Sequence, residues 1–298
     1  MVAPVKEMKW MILGGEGQLG RAISKELAIS GVEFISLNRV QLDITNQIDI
    51  KEWFEKESPD VVVNSAAWTN VDSAESEEKE ALLVNAFGPK YLAEQCAENG
   101  VRFIQISTDY VFSGDATSPW GEFDETEPTS AYGRTKAQGE RFVLDVYPSG
   151  SLVVRTAWLY SPWGKNFVKT VLKIALKEDR NIEVVGDQVG QPTSAIDLSK
   201  QIHELVNSGV THGIYHGTNS GQATWFEIAQ LLFSVVGQDP YRVKEVDSLA
   251  FPRPAKRPQY SVLGHNLWKS AGILPMRNWQ EALNGVLPEI LQSIEREG

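Results

Sequence analysis

A doubly wound α/β fold, a parallel sheet covered by helices on both faces, follows from three features of this chain. Five short apolar segments alternate with helical patterns from Lys9 through Arg155, and glycines mark the first segment-to-helix turn. The apolar segments are continuous rather than alternating, as strands buried on both faces require. Strand–helix–strand alternation of this kind builds a parallel sheet with right-handed crossovers.

The first strand spans 9–13. Gly14, Gly17 and Gly20 follow, ahead of a helical pattern with Leu19, Ile23 and Leu27 on one face. That glycine spacing lies one residue from a Rossmann-like dinucleotide fingerprint. The physics is shared: a tight turn, close backbone approach to a pyrophosphate, and a helix N-terminus facing the anion. A plain structural turn would also account for glycines alone. The second strand, 33–37, ends in Asn38 and Arg39 rather than in the carboxylate that would hold a ribose 2′-hydroxyl. An adjacent guanidinium favours a 2′-phosphate, hence NADPH with NADH still open, unless Arg39 merely points to water. Asp43 and Ile44 stand at a spacing that reaches the adenine, before a helix over 47–57. The third strand, 60–64, runs into Ala66, Ala67 and Trp68, where small residues let a cofactor pass. One helical region is expected over 73–99, its first part an acidic solvated face.

The fourth strand, 101–107, delivers Thr108 at its C-terminal end, where ligands of open α/β sheets sit. Ser130 is placed to cap a helix that carries Tyr132 and Lys136, four residues apart and so on one face. An ammonium beside a phenol favours the phenolate, which predicts a tyrosine pKa lowered toward working pH. By itself this pair is more often an ordinary surface turn. Its convergence with Thr108 and the glycine turn points to proton transfer at a carbonyl or hydroxyl oxygen. The fifth strand covers 151–155.

Composition narrows the partners. Thirty-nine acidic residues against 28 basic ones leave a net charge of −11, which argues against a nucleic-acid partner. One cysteine, Cys96, excludes an internal disulfide and suits a reducing cytoplasm, and its helical setting favours a buried structural role. No stretch has membrane-span length, and the N-terminus lacks a signal pattern; residues 1–7 read as a floppy extension. The four histidines are scattered, so no metal site is expected.

Beyond residue 160 the alternation decays. A helix is expected over 167–176, a strand over 182–185, a helix over 197–207, and a strand over 213–216 that returns to the main sheet. Thr224 caps a further helix. Trp279 and Leu283, at helical spacing, read as core. The loop 251–258 gathers Arg253, Lys256 and Arg257, either as a solvated connector or as a diphosphate contact. The expected division is a dinucleotide-binding domain over 1–157 plus roughly 182–218, and a smaller α/β substrate-binding domain over roughly 158–181 plus 219–298.

The glycine turn, Thr108 and Tyr132-x-x-x-Lys136 resemble the extended short-chain dehydrogenase/reductase family. Residues 63–75, 107–112, 155–160, 166–167, 187–193, 213–216 and 257–263 are similar, in order, to its dTDP-4-dehydrorhamnose reductase branch. That resemblance implies NAD(P)H-dependent reduction of the C4 ketone of a dTDP-4-keto-6-deoxy sugar. It implies Tyr132 as proton donor, Lys136 on the nicotinamide ribose, and Thr108 hydrogen-bonded to the reacting oxygen. It places Gln18 and Leu19 with the other cofactor residues, and Trp158, Asn166 and Arg257 on the substrate. The small-molecule partner would be a nucleotide sugar, with a homodimer left open. Departures are Gly264 in place of the usual aspartate, Asn38, and Trp68. Two readings compete. A nucleotide-sugar epimerase or dehydratase shares the Tyr–Lys pair, but Tyr110 stands where a dehydratase needs a carboxylate. An NADP-binding regulatory subunit of methionine adenosyltransferase shares the fold without turnover.

Overall fold

The computed structural model describes residues 8–297; the expected floppy extension at 1–7 lies outside them. Its first half alternates as expected: β1 (Trp10–Leu13), α1 (Gln18–Ile29), β2 (Phe34–Leu37), α2 (Gln47–Glu57), β3 (Val61–Asn64), α3 (Glu78–Leu82), α4 (Gly88–Asn99), β4 (Arg102–Thr108), α5 (Ala131–Val146) and β5 (Ser151–Thr156). The second half holds β6 (Leu159–Tyr160), α6 (Phe167–Lys177), β7 (Ile182–Val185), β8 (Val189–Gly190), β9 (Thr193–Ser194), α7 (Ala195–Asn207), β10 (Gly213–His216), β11 (Ala223–Thr224), α8 (Trp225–Val235), β12 (Val243–Val246), α9 (Asn266–Ser270) and α10 (Trp279–Arg296).

Six strands form one parallel sheet in the order β10-β5-β4-β3-β1-β2. The chain runs outward from β1 to β2, then returns to build β3 on β1's other side. That reversal opens a crevice at the C-terminal ends of β1 and β3, where such sheets take ligands.

Period-two alternation divides each strand between two cores. Trp10, Ile12, Val63 and Val154 face α1 and α7 through Ile23, Leu27, Leu198 and Ile202. Met11, Leu13, Val62 and Val153 face α2, α4 and α5 through Phe54, Leu92, Cys96 and Val143. Burial pushes the Cys96 thiol well up, which makes it a packing residue rather than a nucleophile.

A third core joins α6, α8 and α10, with Val168, Leu172, Ile228, Leu232, Trp279 and Leu283 packed together. Two elements differ from expectation. The strand 182–185, grouped with the dinucleotide half, pairs with β12 and buries Ile182 and Val184 in this third core. Strand β10 does return to the main sheet, beside β5. The expected continuous helix over 73–99 is broken by a 3₁₀ turn at Ser73–Glu75 and a π turn at Leu83–Phe87. The π turn carries the buried Asn85 described below. Among the described residues no helix is long and apolar enough to cross a membrane.

Candidate active site

A cavity of about 910 Å³ fills the crevice beyond β1 and β3. Gly14 adopts φ +74°, and a Cβ there would lie 2.7 Å from the Ala66 nitrogen. Only glycine lets the first turn pass this close to the loop after β3. At Gly20 a Cβ would meet the Gly14 carbonyl at 2.3 Å, so this glycine sets how tightly α1 packs on the turn. Gly17 occupies the N-cap of α1 with no side chain capping the first turn. Gly17, Gln18 and Leu19 line the cavity, and the first turn of a helix leaves N–H groups without partners in the helix, available to an anion. A pyrophosphate fits this cradle.

Asn38, Arg39, Asp43 and Ile44 line the same cavity at the end of β2. Asn38 Nδ2 donates to Glu16 Oε1 at 2.9 Å, tying the two loops together. The Arg39 side chain is 80% exposed and lies 3.8 Å from Asp43. Burial pushes the Asp43 carboxyl up, but the Thr45 N–H and hydroxyl, helped by Arg39, outweigh it and hold the group below its ordinary value. Asp43 is therefore an anion that shapes its own loop as well as facing the cavity.

Ala66, Ala67 and Trp68 form the opposite wall. Asn85, which the sequence reading did not single out, holds them. Its Oδ1 accepts from the Trp68 N–H at 2.8 Å, and its Nδ2 donates to the Trp68 carbonyl and to Thr135 Oγ1, both at 3.1 Å. One buried amide thus clamps the cofactor-side loop to α5. The π turn that carries Asn85 is the kind of local irregularity that functional sites keep. The signal available in the sequence was an asparagine within an otherwise apolar helical run.

Thr108, Tyr132 and Lys136 come together as expected. Ser130 caps α5, accepting from the Gly133 N–H at 3.2 Å, and Tyr132 and Lys136 both line the cavity. Lys136 Nζ donates to the Ile106 carbonyl at 2.6 Å. Burial draws the Lys136 pKa down to about 8, and Glu140 opposes that fall. The expected lowering of the Tyr132 pKa does not occur in the protein alone. Burial raises it to about 12, against a hydrogen bond with Thr108, and Asp109 adds to the rise. A four-residue offset puts amine and phenol on one face but says nothing about the water removed from both. The Thr108 hydroxyl donates to Asp109 Oδ1 at 2.9 Å and accepts from the Tyr110 N–H at 3.2 Å.

A second cavity of about 780 Å³ adjoins the first at Tyr110, whose ring meets the Tyr132 ring edge-on at 5.5 Å. Trp158 and Arg257 line it with Asp72. Arg257 lies 3.0 Å from Asp72, and Trp158, at φ +46°, stacks on Trp225 at 3.7 Å. Asn166 lies elsewhere. It caps α6, accepting from the Lys169 N–H at 2.9 Å, and donates to Gln18 Oε1 at 3.0 Å. Neither cavity is lined by it.

A family profile described as the RmlD substrate binding domain matches residues 8–292. The chain belongs to this family. The dTDP-4-dehydrorhamnose reductase of Streptomyces griseus is 42% identical over 97% of this chain and 96% of that protein. The dTDP-4-keto-6-deoxy-D-glucose reductase of Streptomyces niveus is 40% identical over 94% and 96%. The dTDP-4-dehydrorhamnose reductase of Bacillus anthracis strain Ames, solved in complex with NADP, superposes with a TM-score of 0.91 at 36% identity, covering 95% of this chain and 99% of that one.

Proposed function

We propose that this chain catalyses the NADPH-dependent reduction of the C4 ketone of dTDP-4-dehydro-L-rhamnose to dTDP-L-rhamnose. The observation that carries the reading is the Tyr132–Tyr110 contact, which sits where a dinucleotide-sized crevice meets a second cavity walled by Arg257 and Trp158. When bound, NADPH supplies the hydride to the C4 carbon. The chain supplies the rest. The Gly14 turn and the open N-terminus of α1 hold the pyrophosphate, and Lys136 reaches the ribose. Tyr132, kept protonated at neutral pH by its burial, gives the ketone oxygen its proton. Thr108 aims that phenol. Arg257 and Trp158 are the substrate-side groups in this reading, and Asn166 acts on the cofactor side only through Gln18.

The Streptomyces niveus relative favours a second sugar, dTDP-4-keto-6-deoxy-D-glucose, for the same machinery. A non-catalytic regulatory role would have no use for a buried, protonated phenol between two cavities. An epimerase would regenerate its cofactor and consume none. A cytoplasmic setting belongs to the reading, in keeping with one buried, reduced cysteine.

The test is an absorbance assay of NADPH and NADH consumption with each sugar nucleotide in turn. Stoichiometric NADPH loss with dTDP-4-dehydro-L-rhamnose is expected. Absence of turnover with that substrate overturns the assignment, and faster turnover with the glucose-type ketone transfers it to the second sugar.

A further inference from the structure

Behind the reacting groups lies a buried ion pair that the reaction as described leaves unused. Arg155 on β5 and Glu140 on α5 are 2% and 4% exposed and meet at 2.7 Å. The contact is a fork. Arg155 Nε and Nη2 both donate to the Glu140 carboxylate, at 3.0 and 2.7 Å. The other arm of the guanidinium, Nη1, faces the Glu122 carbonyl at 3.4 Å and His216 Nε2 at 3.5 Å, and its plane lies over the Phe112 ring. His216 is buried and neutral, its pKa pushed down to about 3 by burial and by Arg155. Its Nδ1 faces the Gly264 carbonyl at 2.9 Å and so carries the proton, which leaves Nε2 to accept from Arg155.

Glu140 follows Lys136 by one helical turn, so the two side chains share a face of α5. Two buried charges placed this way are costly unless each is held. Arg155 holds Glu140 from the sheet, and Glu140 is the one charged neighbour that raises the Lys136 pKa against burial. The other polar groups around the lysine come from each packed element. Strand β4 offers the Ile106 carbonyl, and Asp109 lies just past its end. Helix α5 adds Tyr132, which lines the same cavity as the lysine; Arg155 of β5 is engaged with Glu140, with the neutral His216 of β10 on its far arm. The Glu122 carboxylate is turned away, accepting from the Leu267 N–H at 3.1 Å.

We propose that the Arg155–Glu140 pair positions Lys136 for the cofactor ribose and holds it as an ammonium. Glu140 acts through the lysine and touches neither substrate nor cofactor. This rests on the reductase reading of the site, because the ribose contact of Lys136 does.

The test uses the full chain and oxidised NADP, whose binding is followed by quenching of protein fluorescence from pH 6 to pH 10. In the unsubstituted protein the affinity weakens as Lys136 loses its proton. In Glu140→Gln that weakening moves to lower pH by about one unit, since the nearby anion is gone. The double variant Arg155→Gln/Glu140→Gln leaves no buried charge unopposed and serves where the single variant fails to fold. It also shifts downward, by less than the single variant. Glu140→Asp, which keeps the charge, restores the original profile. An unshifted profile in the double variant overturns the proposal. Absence of NADP binding in the unsubstituted protein would instead remove the cofactor reading itself, so the two failures are distinct.

Discussion

The Thr108 hydroxyl has one proton to give, and it gives it to Asp109 Oδ1 across 2.9 Å. The Tyr132 phenol is the other group at this hydroxyl, and that proton, if given to the phenol, would lower its pKa. A single proton cannot serve carboxylate and phenolate together, so Asp109 competes with Tyr132 for it. It also raises the Tyr132 pKa by its charge. Burial brings Asp109 itself up to about 6, so the competition switches on as pH rises through that value. Asp109→Asn is expected to lower the Tyr132 pKa by about one unit. An ultraviolet difference titration of tyrosinate checks this, with Tyr132→Phe in the same background to assign the signal; an unmoved titration refutes it.

Removing the proton donor alone isolates its share of the chemistry. Tyr132→Phe keeps the edge-on contact with Tyr110 and is expected to bind NADPH as before. Its turnover number should fall about 10²- to 10⁴-fold, the usual contribution of a positioned acid. An unchanged turnover number would take the phenol out of the mechanism.

Arg39 offers a clean test of cofactor choice, because its side chain is 80% exposed and supports nothing in the core. Arg39→Ala should raise the Michaelis constant for NADPH by about tenfold, the loss of one charge-assisted contact, and leave that for NADH nearly unchanged. Equal effects on both would remove Arg39 from phosphate recognition.

Acid stability should carry the signature of His216. Folded, its pKa is pushed down to about 3 from an ordinary 6.5, so the unfolded chain takes up this proton first as pH falls. Stability is therefore complete above pH 6.5 and lost between there and pH 3, at about 1.4 kcal/mol per pH unit for this one group. Urea midpoints at pH 7, 5 and 4 measure the slope. His216→Asn, which cannot titrate, should make it shallower, the remainder belonging in part to His265, whose pKa burial lowers to about 4; an identical slope in the variant would place the acid sensitivity elsewhere.

Much of this molecule was legible in its residues. Strand–helix alternation marks out five of the six strands of the main sheet, and Gly14 and Gly20 meet the steric demands their spacing announces. Tyr132 and Lys136 share one crevice because a capped helix presents them from one face, and Thr108, at the end of β4, meets the phenol. What stayed hidden depended on distant partners. Strand β7 joins β12, whose Lys244 and Glu245 are exposed and give no apolar signal for pairing. The Tyr132 pKa rises because burial outweighs the neighbouring amine, and burial is a property of the whole fold. Asn166 is a cap and a tether, a distinction between polar roles that spacing alone does not draw.

That tether has a mechanical meaning. Gln18, in the first turn of α1, accepts on one amide oxygen from Asn166 Nδ2 and from the Ser161 hydroxyl, which it shares with the Trp163 carbonyl, each contact to Gln18 at 3.0 Å. The segment leading into α6 is thus pinned to the residue beside the pyrophosphate cradle. Any swing that widens the gap at this corner must break two bonds to one atom, so the corner behaves as a pivot. The rim of the second cavity is closed instead by the Arg257–Asp72 ion pair at 3.0 Å.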